Sequence, residues 1–308
     1  MEKYYPEGFR MLTATEQTKR FQLECLEEAA ARGDILEARA TVCDLEHNLL
    51  VDLGEIKGVI PHQEGAIGIA SGKTKDIAII SRVNKMVCFQ VQELTTDKTG
   101  KPLAVLSRRA AQEECQRTYI DALRPGDVIP AKVTHLESFG CFVDIGCGIS
   151  SLIPIDSISV SRISHPAERF KVGQNIRVVV RSIDEQGRVL LSHKELLGTW
   201  AENAAAFSAG ETVAGIVRSV ENYGIFIELT PNLAGLAEPN DSVKVGQLAS
   251  VYIKSLIPEK MKVKLILVDA FDSELVYEPP KYFFEGDHMD RFVYSPESCQ
   301  KVIETVFS

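Results

Sequence analysis

The chain has 308 residues, of which 45% are hydrophobic and 25% charged, a composition typical of a soluble globular protein. No segment reaches the roughly 18 uncharged apolar residues of a membrane span, and no apolar run follows Met1. We therefore expect a cytoplasmic protein without a signal peptide. The net charge of −9 argues against a uniformly basic surface, but residues 270–308 hold 3 basic and 8 acidic residues and account for −5 of it.

The first predicted element is an N-terminal helix from about Ala14 to Arg32. Thr13 and Glu16 are spaced as a capping box, and Gly33 is a suitable stop. Further helices are predicted from Arg108 to Leu123, from Leu196 to Phe207 and, near the end of the chain, from Ser295 to Phe307.

The segments between these helices contain an internal repeat. Gly126-Asp127-Val128 aligns with Gly210-Glu211-Thr212-Val213 at an offset of 84 residues, and the same offset places Phe139-Gly140-Cys141-Phe142 over Tyr223-Gly224-Ile225-Phe226. A fainter copy starts at Gly33-Asp34. Each copy has short alternating strands and glycine-containing turns, the pattern of a small β-barrel.

The predicted fold is therefore mainly β, with three tandem five-stranded barrels joined by short helices and flanked by N- and C-terminal helices. The domain boundaries that we predict are 1–33 for the N-terminal helical segment, 34–109 for a degenerate first barrel, 110–124 for a linker helix, 125–195 for the second barrel, 196–209 for a second linker helix, 210–269 for the third barrel and 270–308 for an acidic, aromatic C-terminal segment.

Strand alternation predicts the direction of the aromatic side chains. Cys141 and Val143 form an apolar face, so Phe142 lies on the other face with Asp144, and Phe226 lies likewise with Glu228. Gly140 and Gly224 permit a bulge that turns Phe139 and Tyr223 to the same surface. Such ring pairs form a platform on which unpaired bases stack. The alternative is that these rings fill the barrel cores.

Charged residues accompany these rings. Arg177 and Arg181 alternate with apolar residues in the second copy, and Arg188 follows a turn that begins at Asp184. In the third copy Lys254 is followed by Lys260, Lys262 and Lys264, which we expect to form a stripe on one side of a strand. An aromatic platform with a basic rim is typical of single-strand binding, whereas the lysines alone could serve as solvated edge protection.

These motifs resemble the S1 RNA-binding domain, a variant of the OB-fold. The middle copy matches best, through Gly126-Asp127-Val128, Phe139-Gly140-Cys141-Phe142-Val143-Asp144, Phe170-Lys171-Val172-Gly173-Gln174 and Leu191-Ser192-His193-Lys194. The resemblance implies RNA contacts for Phe139, Phe142, Asp184 and Arg188. The histidine of the family pattern is absent: Pro154 and Glu238 stand at that position in the second and third copies.

The first copy lacks the platform, because His47 replaces Phe139 and Leu50 replaces Phe142. It also lacks the rim, because Gln92 replaces Arg181 and Leu103 replaces Arg188. An exposed Leu50 suits a protein partner better than a base. The tandem arrangement resembles that of bacterial small-subunit ribosomal proteins made of S1 domains. This implies a role in translation, with messenger RNA on the second and third barrels and the small subunit docked on the first barrel and N-terminal helix.

The sequence leaves two alternatives to RNA binding. A protein-docking adaptor with weak or lost RNA binding is the main alternative. A nuclease or nucleotide hydrolase is not expected, because we find no convincing acid cluster for two-metal chemistry. Gly68 to Thr74 resembles a phosphate-binding loop but is one residue short, and Asp76 to Ile80 after it reads as a strand. The seven cysteines are scattered without a Cys-x-x-Cys pair, so we expect free thiols, no metal site and no cofactor.

Overall fold

The structure, a computed structural model, describes residues 4–9, 21–272 and 279–307. The chain divides into two compact units. The first unit contains the first barrel and its helices, up to residue 123, together with residues 130–132 and 144–150. The second unit contains residues 124–129, 133–143 and 151–308, with the third barrel and most of the second. Each barrel is closed and five-stranded, which confirms the predicted fold class.

The first barrel follows a short helix. The elements are α1 (Leu23–Arg32), β1 (Leu36–Cys43), β2 (Leu49–Leu53), β3 (Ile56–Ile60), α2 (Ile77–Ile80), β4 (Met86–Thr96) and β5 (Pro102–Ser107), with the strand order β1-β2-β3-β5-β4. Leu49, Val51 and Leu53 alternate into the core, where Leu26 and Ala29 of α1 join them. Helix α1 ends at Gly33, whose φ of 69° is the left-handed conformation that favours glycine.

The second and third barrels repeat this plan. The elements are α3 (Arg108–Thr118), β6 (Val128–Glu137), β7 (Gly140–Asp144), β8 (Ser150–Pro154), β9 (Asn175–Ile183), β10 (Val189–Ser192), α4 (Trp200–Ala204), β11 (Thr212–Glu221), β12 (Gly224–Thr230), β13 (Leu233–Ala237), β14 (Leu248–Ile257) and β15 (Lys262–Phe271). The strand orders are β10-β8-β7-β6-β9 and β11-β12-β13-β15-β14.

The predicted C-terminal helix is wrong. Residues Arg291–Val293 and Glu304–Val306 instead form an antiparallel pair, β16 and β17. The run of β-branched residues before Phe307 favours a strand, since branching at Cβ restricts helical rotamers. Phe307 and Met289 pack against Val179 and bury it. The C-terminal segment therefore covers the outer face of β9, which the sequence pattern placed in solvent.

Two other local predictions need comment. The strand predicted from Asp76 to Ile80 is wrong, because Ile77–Ile80 is a single helical turn. The N-terminal helix begins at Leu23 within the described residues, and the predicted capping box at Thr13 and Glu16 lies outside them. Among the helices of the described residues, none is long and apolar enough to cross a membrane.

Candidate nucleic-acid interface

Two aromatic rings stand together on the second barrel. Phe139 lies in the turn between β6 and β7, and Phe142 lies on β7. Their ring centroids are 6.0 Å apart with an interplanar angle of 89°. Phe139 is 55% exposed and Phe142 is half-buried, whereas the intervening Cys141 is buried. The pair therefore presents an aromatic surface to solvent while the alternate positions build the core.

The third barrel carries the same arrangement. Tyr223 lies in the turn before β12 and Phe226 on the strand, with centroids 6.1 Å apart at 86°. Tyr223 is 63% exposed. The strand register shifts at Arg218 of β11, so the irregularity lies on the partner strand and not at Gly224. Gly224 is required for a different reason: a Cβ there would lie 2.6 Å from the carbonyl oxygen of Ala237.

The carboxylates predicted to share the solvent face with these rings are buried. Asp144 accepts hydrogen bonds from the backbone amides of Glu7 (2.7 Å), Gly146 (2.8 Å) and Gly148 (3.0 Å). Burial, and to a lesser extent the charge of Glu7, raises the pKa of Asp144 to about 7. The aspartate therefore organises the loop after β7 and is not part of an RNA-contacting surface.

Glu228 is buried as well, because two arginines surround it. Arg218 donates to both carboxylate oxygens, from Nε at 2.7 Å and from Nη2 at 3.1 Å. Arg169, from the segment between β8 and β9, donates to Glu228 from its Nη2. Arg218 also pairs with Glu168. These contacts join the second barrel to the third through a cluster of charges shielded from water.

Of the two arginines predicted on β9, Arg177 is half-buried and Arg181 is exposed. The guanidinium of Arg177 donates to the carbonyl oxygens of Phe284, Glu285 and Gly286, so the C-terminal segment occupies this arginine. These contacts leave Arg177 half-buried. The exposed Arg181 donates to the hydroxyl of Ser157 at 2.8 Å.

Asp184 and Arg188 form an exposed turn before β10. The carboxylate of Asp184 accepts from the backbone amide of Arg188 at 2.9 Å and from its Nε at 2.7 Å. These hydrogen bonds, the backbone one first, lower the pKa of Asp184 below its usual range. Arg188 has 78% of its side chain exposed and keeps donors free for a phosphate, since a guanidinium has five N–H groups.

The four residues predicted on the third barrel line a single groove. Tyr223, Phe226, Lys254 and Lys262 border a cavity of about 860 Å³ together with Lys264. Lys262 and Lys264 are exposed on β15, and Val263 between them is buried. The predicted lysine stripe is shorter than expected, because Lys260 lies in a 3₁₀ turn before the strand. Rings and ammonium groups thus meet in one open groove.

Sequence reasoning missed His135 as a neighbour of the platform. Its ring centroid lies 6.5 Å from that of Phe142, and its Nε2 is 2.7 Å from a carboxylate oxygen of Glu137. His193, in contrast, is buried, with its Nδ1 3.1 Å from the carbonyl oxygen of Ile158. Burial lowers the pKa of His193 to about 4, so it is neutral at physiological pH.

Comparisons with known proteins agree with this geometry. Residues 122–194 match the family model described as the S1 RNA binding domain. The small ribosomal subunit protein bS1 of Staphylococcus aureus strain COL is 28% identical over 286 residues, covering 86% of this chain and 70% of that protein. The bS1 protein of Staphylococcus haemolyticus is 28% identical over 272 residues, covering 83% of this chain and 66% of that protein.

Two solved structures are also similar in part. One is a multidomain protein with nucleic acid binding domains from Streptococcus pneumoniae TIGR4, with a TM-score of 0.26, 13% identity, and coverage of 79% of this chain and 76% of that one. The other is GSP13 from Bacillus subtilis, with a TM-score of 0.22, 30% identity, and coverage of 23% and 55%. Residues 122–194 therefore match the S1 RNA binding domain family, and most of the chain is similar in sequence to small ribosomal subunit protein bS1.

Proposed function

We propose that the second and third barrels bind single-stranded RNA, messenger RNA in particular, and that the protein acts in translation at the ribosome. The observation that carries this proposal is the repeated ring pair, Phe139 with Phe142 and Tyr223 with Phe226, exposed at the same place on two barrels. Unpaired bases stack on such rings irrespective of sequence, at about 1–3 kcal/mol per base.

The cations supply the second part of the interaction. Arg181, Arg188, Lys254 and Lys262 are exposed, and the two lysines border the same groove as the rings of the third barrel. About four neutralised phosphates give a slope of log K against log salt of roughly −3, using about −0.7 per phosphate for a single strand. Binding therefore depends moderately on salt, with stacking contributing the part that salt does not screen.

The charge cluster around Glu228 supports a single path for the strand. Arg169 of the second barrel and Arg218 of the third share this carboxylate, and all three side chains are at most 9% exposed. Buried pairs of this kind tolerate little displacement, because separating them leaves charges without partners. This cluster therefore limits the movement of one barrel against the other, which suits the binding of one strand by both platforms.

The first barrel has a different part in this proposal. Its Leu50, at the position of Phe142, is half-buried and offers no ring. We place the contact with the small ribosomal subunit on this barrel and the N-terminal helix, in a cytoplasmic protein without an enzymatic activity. The names of the bS1 relatives support ribosome association. A docking adaptor without RNA binding is the competing function, favoured by this same barrel.

Cosedimentation with purified small ribosomal subunits tests the division of labour. Leu50→Asp places a charge on the docking face, and we expect at least a fivefold loss of cosedimenting protein without messenger RNA. The double variant with Phe142→Ala and Phe226→Ala should still associate with the subunit. It should lose only the additional binding that is seen when unstructured messenger RNA is added. If the Leu50 variant sediments like the wild type, docking on the first barrel is wrong. If the variant with Phe142→Ala and Phe226→Ala sediments like the wild type in the presence of messenger RNA, the adaptor function is preferred.

A further inference from the structure

The first barrel brings together three side chains that are far apart in sequence. His47 lies in the turn between β1 and β2, His62 in the 3₁₀ turn after β3, and Asp76 immediately before α2. His62 Nε2 is 2.7 Å from Asp76 Oδ1, and His47 Nδ1 is 3.5 Å from Asp76 Oδ2. One nitrogen or oxygen atom from each residue lies within 4.8 Å of the others. All three side chains are partly exposed.

We propose that His47, His62 and Asp76 bind one divalent transition-metal ion, of which zinc is the best match. Zinc takes imidazole nitrogen at about 2.0–2.1 Å and carboxylate oxygen at about 2.0–2.2 Å in tetrahedral geometry. Ligand atoms around such an ion are therefore about 3.3–3.5 Å apart. The three donors need only small side-chain rotations to reach these separations. Solvent supplies the remaining ligand, because the cluster opens to water.

The backbone around the two histidines is fixed by hydrogen bonds. The carboxylate of Asp44 accepts from the amides of Glu46 (2.9 Å) and Asn48 (2.8 Å) and so shapes the turn that carries His47. The side-chain oxygen of Asn48 accepts from the amide of His62 at 2.9 Å. His47 has a φ of 63°, a conformation uncommon for residues other than glycine. The two imidazoles are thus positioned by the same turn, which lowers the entropy lost on binding an ion.

The charge at the cluster suits a cation. Asp76 contributes a carboxylate, which carries a negative charge at neutral pH. The two imidazoles favour zinc over magnesium or calcium, because magnesium and calcium are harder ions that prefer oxygen ligands.

The position of the cluster separates it from the RNA-binding surface. His47 occupies the turn that carries Phe139 in the second barrel and Tyr223 in the third. The first barrel therefore has metal-binding donors where the other two have stacking rings. The proposal extends beyond RNA binding and does not depend on it.

Calorimetric titration of the tag-free chain of 308 residues with zinc chloride tests the proposal. We expect one zinc ion per chain, and at least a tenfold loss of affinity for His47→Ala and for Asp76→Asn, because even substitutions outside the ligand shell cost about 10–100-fold. His135→Ala is the matched control: it removes another exposed histidine that is paired with a carboxylate, Glu137, and should leave zinc affinity unchanged.

The absorption spectrum of bound cobalt provides a second readout, which shows whether cysteines are among the ligands. The seven cysteines of the chain are free thiols. Cobalt bound through them in place of zinc would show strong sulfur-to-metal charge-transfer bands. We expect cobalt absorption without these bands, lost in Asp76→Asn. The proposal is wrong if the wild type binds no stoichiometric zinc, if the two cluster variants bind as tightly as the wild type, or if His135→Ala weakens binding equally.

Discussion

Alanine at Phe142 and Phe226 together is expected to weaken binding of a single-stranded RNA of about 12 nucleotides by roughly 30-fold or more. Each ring forms half of a platform, and stacking contributes about 1–3 kcal/mol per base, so two lost contacts amount to at least about 2 kcal/mol. The measurement is fluorescence anisotropy of a labelled, unstructured RNA at fixed salt. Both rings are half-buried, so circular dichroism must show that the double variant is folded.

Two substitutions serve as controls for this prediction. Leu50→Ala alters the equivalent position of the first barrel and should leave RNA affinity within about twofold. Tyr223→Phe keeps a stacking ring and removes only the hydroxyl, so its affinity should also be close to that of the wild type. Unchanged affinity of a folded double alanine variant would show that the rings do not carry binding.

Glu7→Gln is expected to destabilise the first unit by about 3 kcal/mol or more. The carboxylate of Glu7 is buried and accepts hydrogen bonds from Nε (2.7 Å) and Nη2 (3.0 Å) of the buried Arg108. Burial alone would raise the pKa of Glu7, but Arg108, Arg82 and the amide of Cys88 together lower it below its usual range. The amide of glutamine leaves Arg108 as an uncompensated charge in the interior, a defect that costs about 3–5 kcal/mol. Urea denaturation followed by circular dichroism measures the change in free energy of unfolding.

The exposed pair of Glu28 and Arg32 gives the matched control. Glu28→Gln removes the same charge at a pair 3.3 Å apart on the surface of α1, where the expected loss is below about 1 kcal/mol. Combining Glu7→Gln with Arg108→Met should recover part of the stability, because the unpaired charge is then removed. A loss for Glu7→Gln as small as that for Glu28→Gln would contradict the structural importance of the ion pair.

The barrels and the ring pairs could be predicted from sequence because both depend on local patterns. Alternation of apolar residues sets the inward face of β7 and β12, and the offset of 84 residues repeats Phe139 and Phe142 as Tyr223 and Phe226. The exposure of Phe139 and Tyr223 agrees with the predicted direction of these rings. Their contact with RNA stays a prediction.

The parts that sequence reasoning missed depend on partners distant in the chain. Alternation alone predicts that Asp144 lies on the solvent face, yet a hydrogen bond from the amide of Glu7, 137 residues earlier, makes its burial possible. The alternation in β9 predicts that Arg177 lies on the surface. Its guanidinium instead donates hydrogen bonds to carbonyl oxygens more than 100 residues later in the chain. His47, His62 and Asp76 have no spacing typical of a metal site, and only the closure of the first barrel brings them together. Alternation predicts a face but not what covers it.

Photochemical cross-linking tests the central claim most directly. A single-stranded RNA containing 4-thiouridine would be bound to the full chain, irradiated and digested, and mass spectrometry would locate the attached nucleotides. We predict cross-links concentrated at Phe139, Phe142, Tyr223 and Phe226, with the first barrel nearly free of them. Cross-links confined to the first barrel or to the C-terminal segment, with these four rings unmodified, would contradict RNA binding on the second and third barrels.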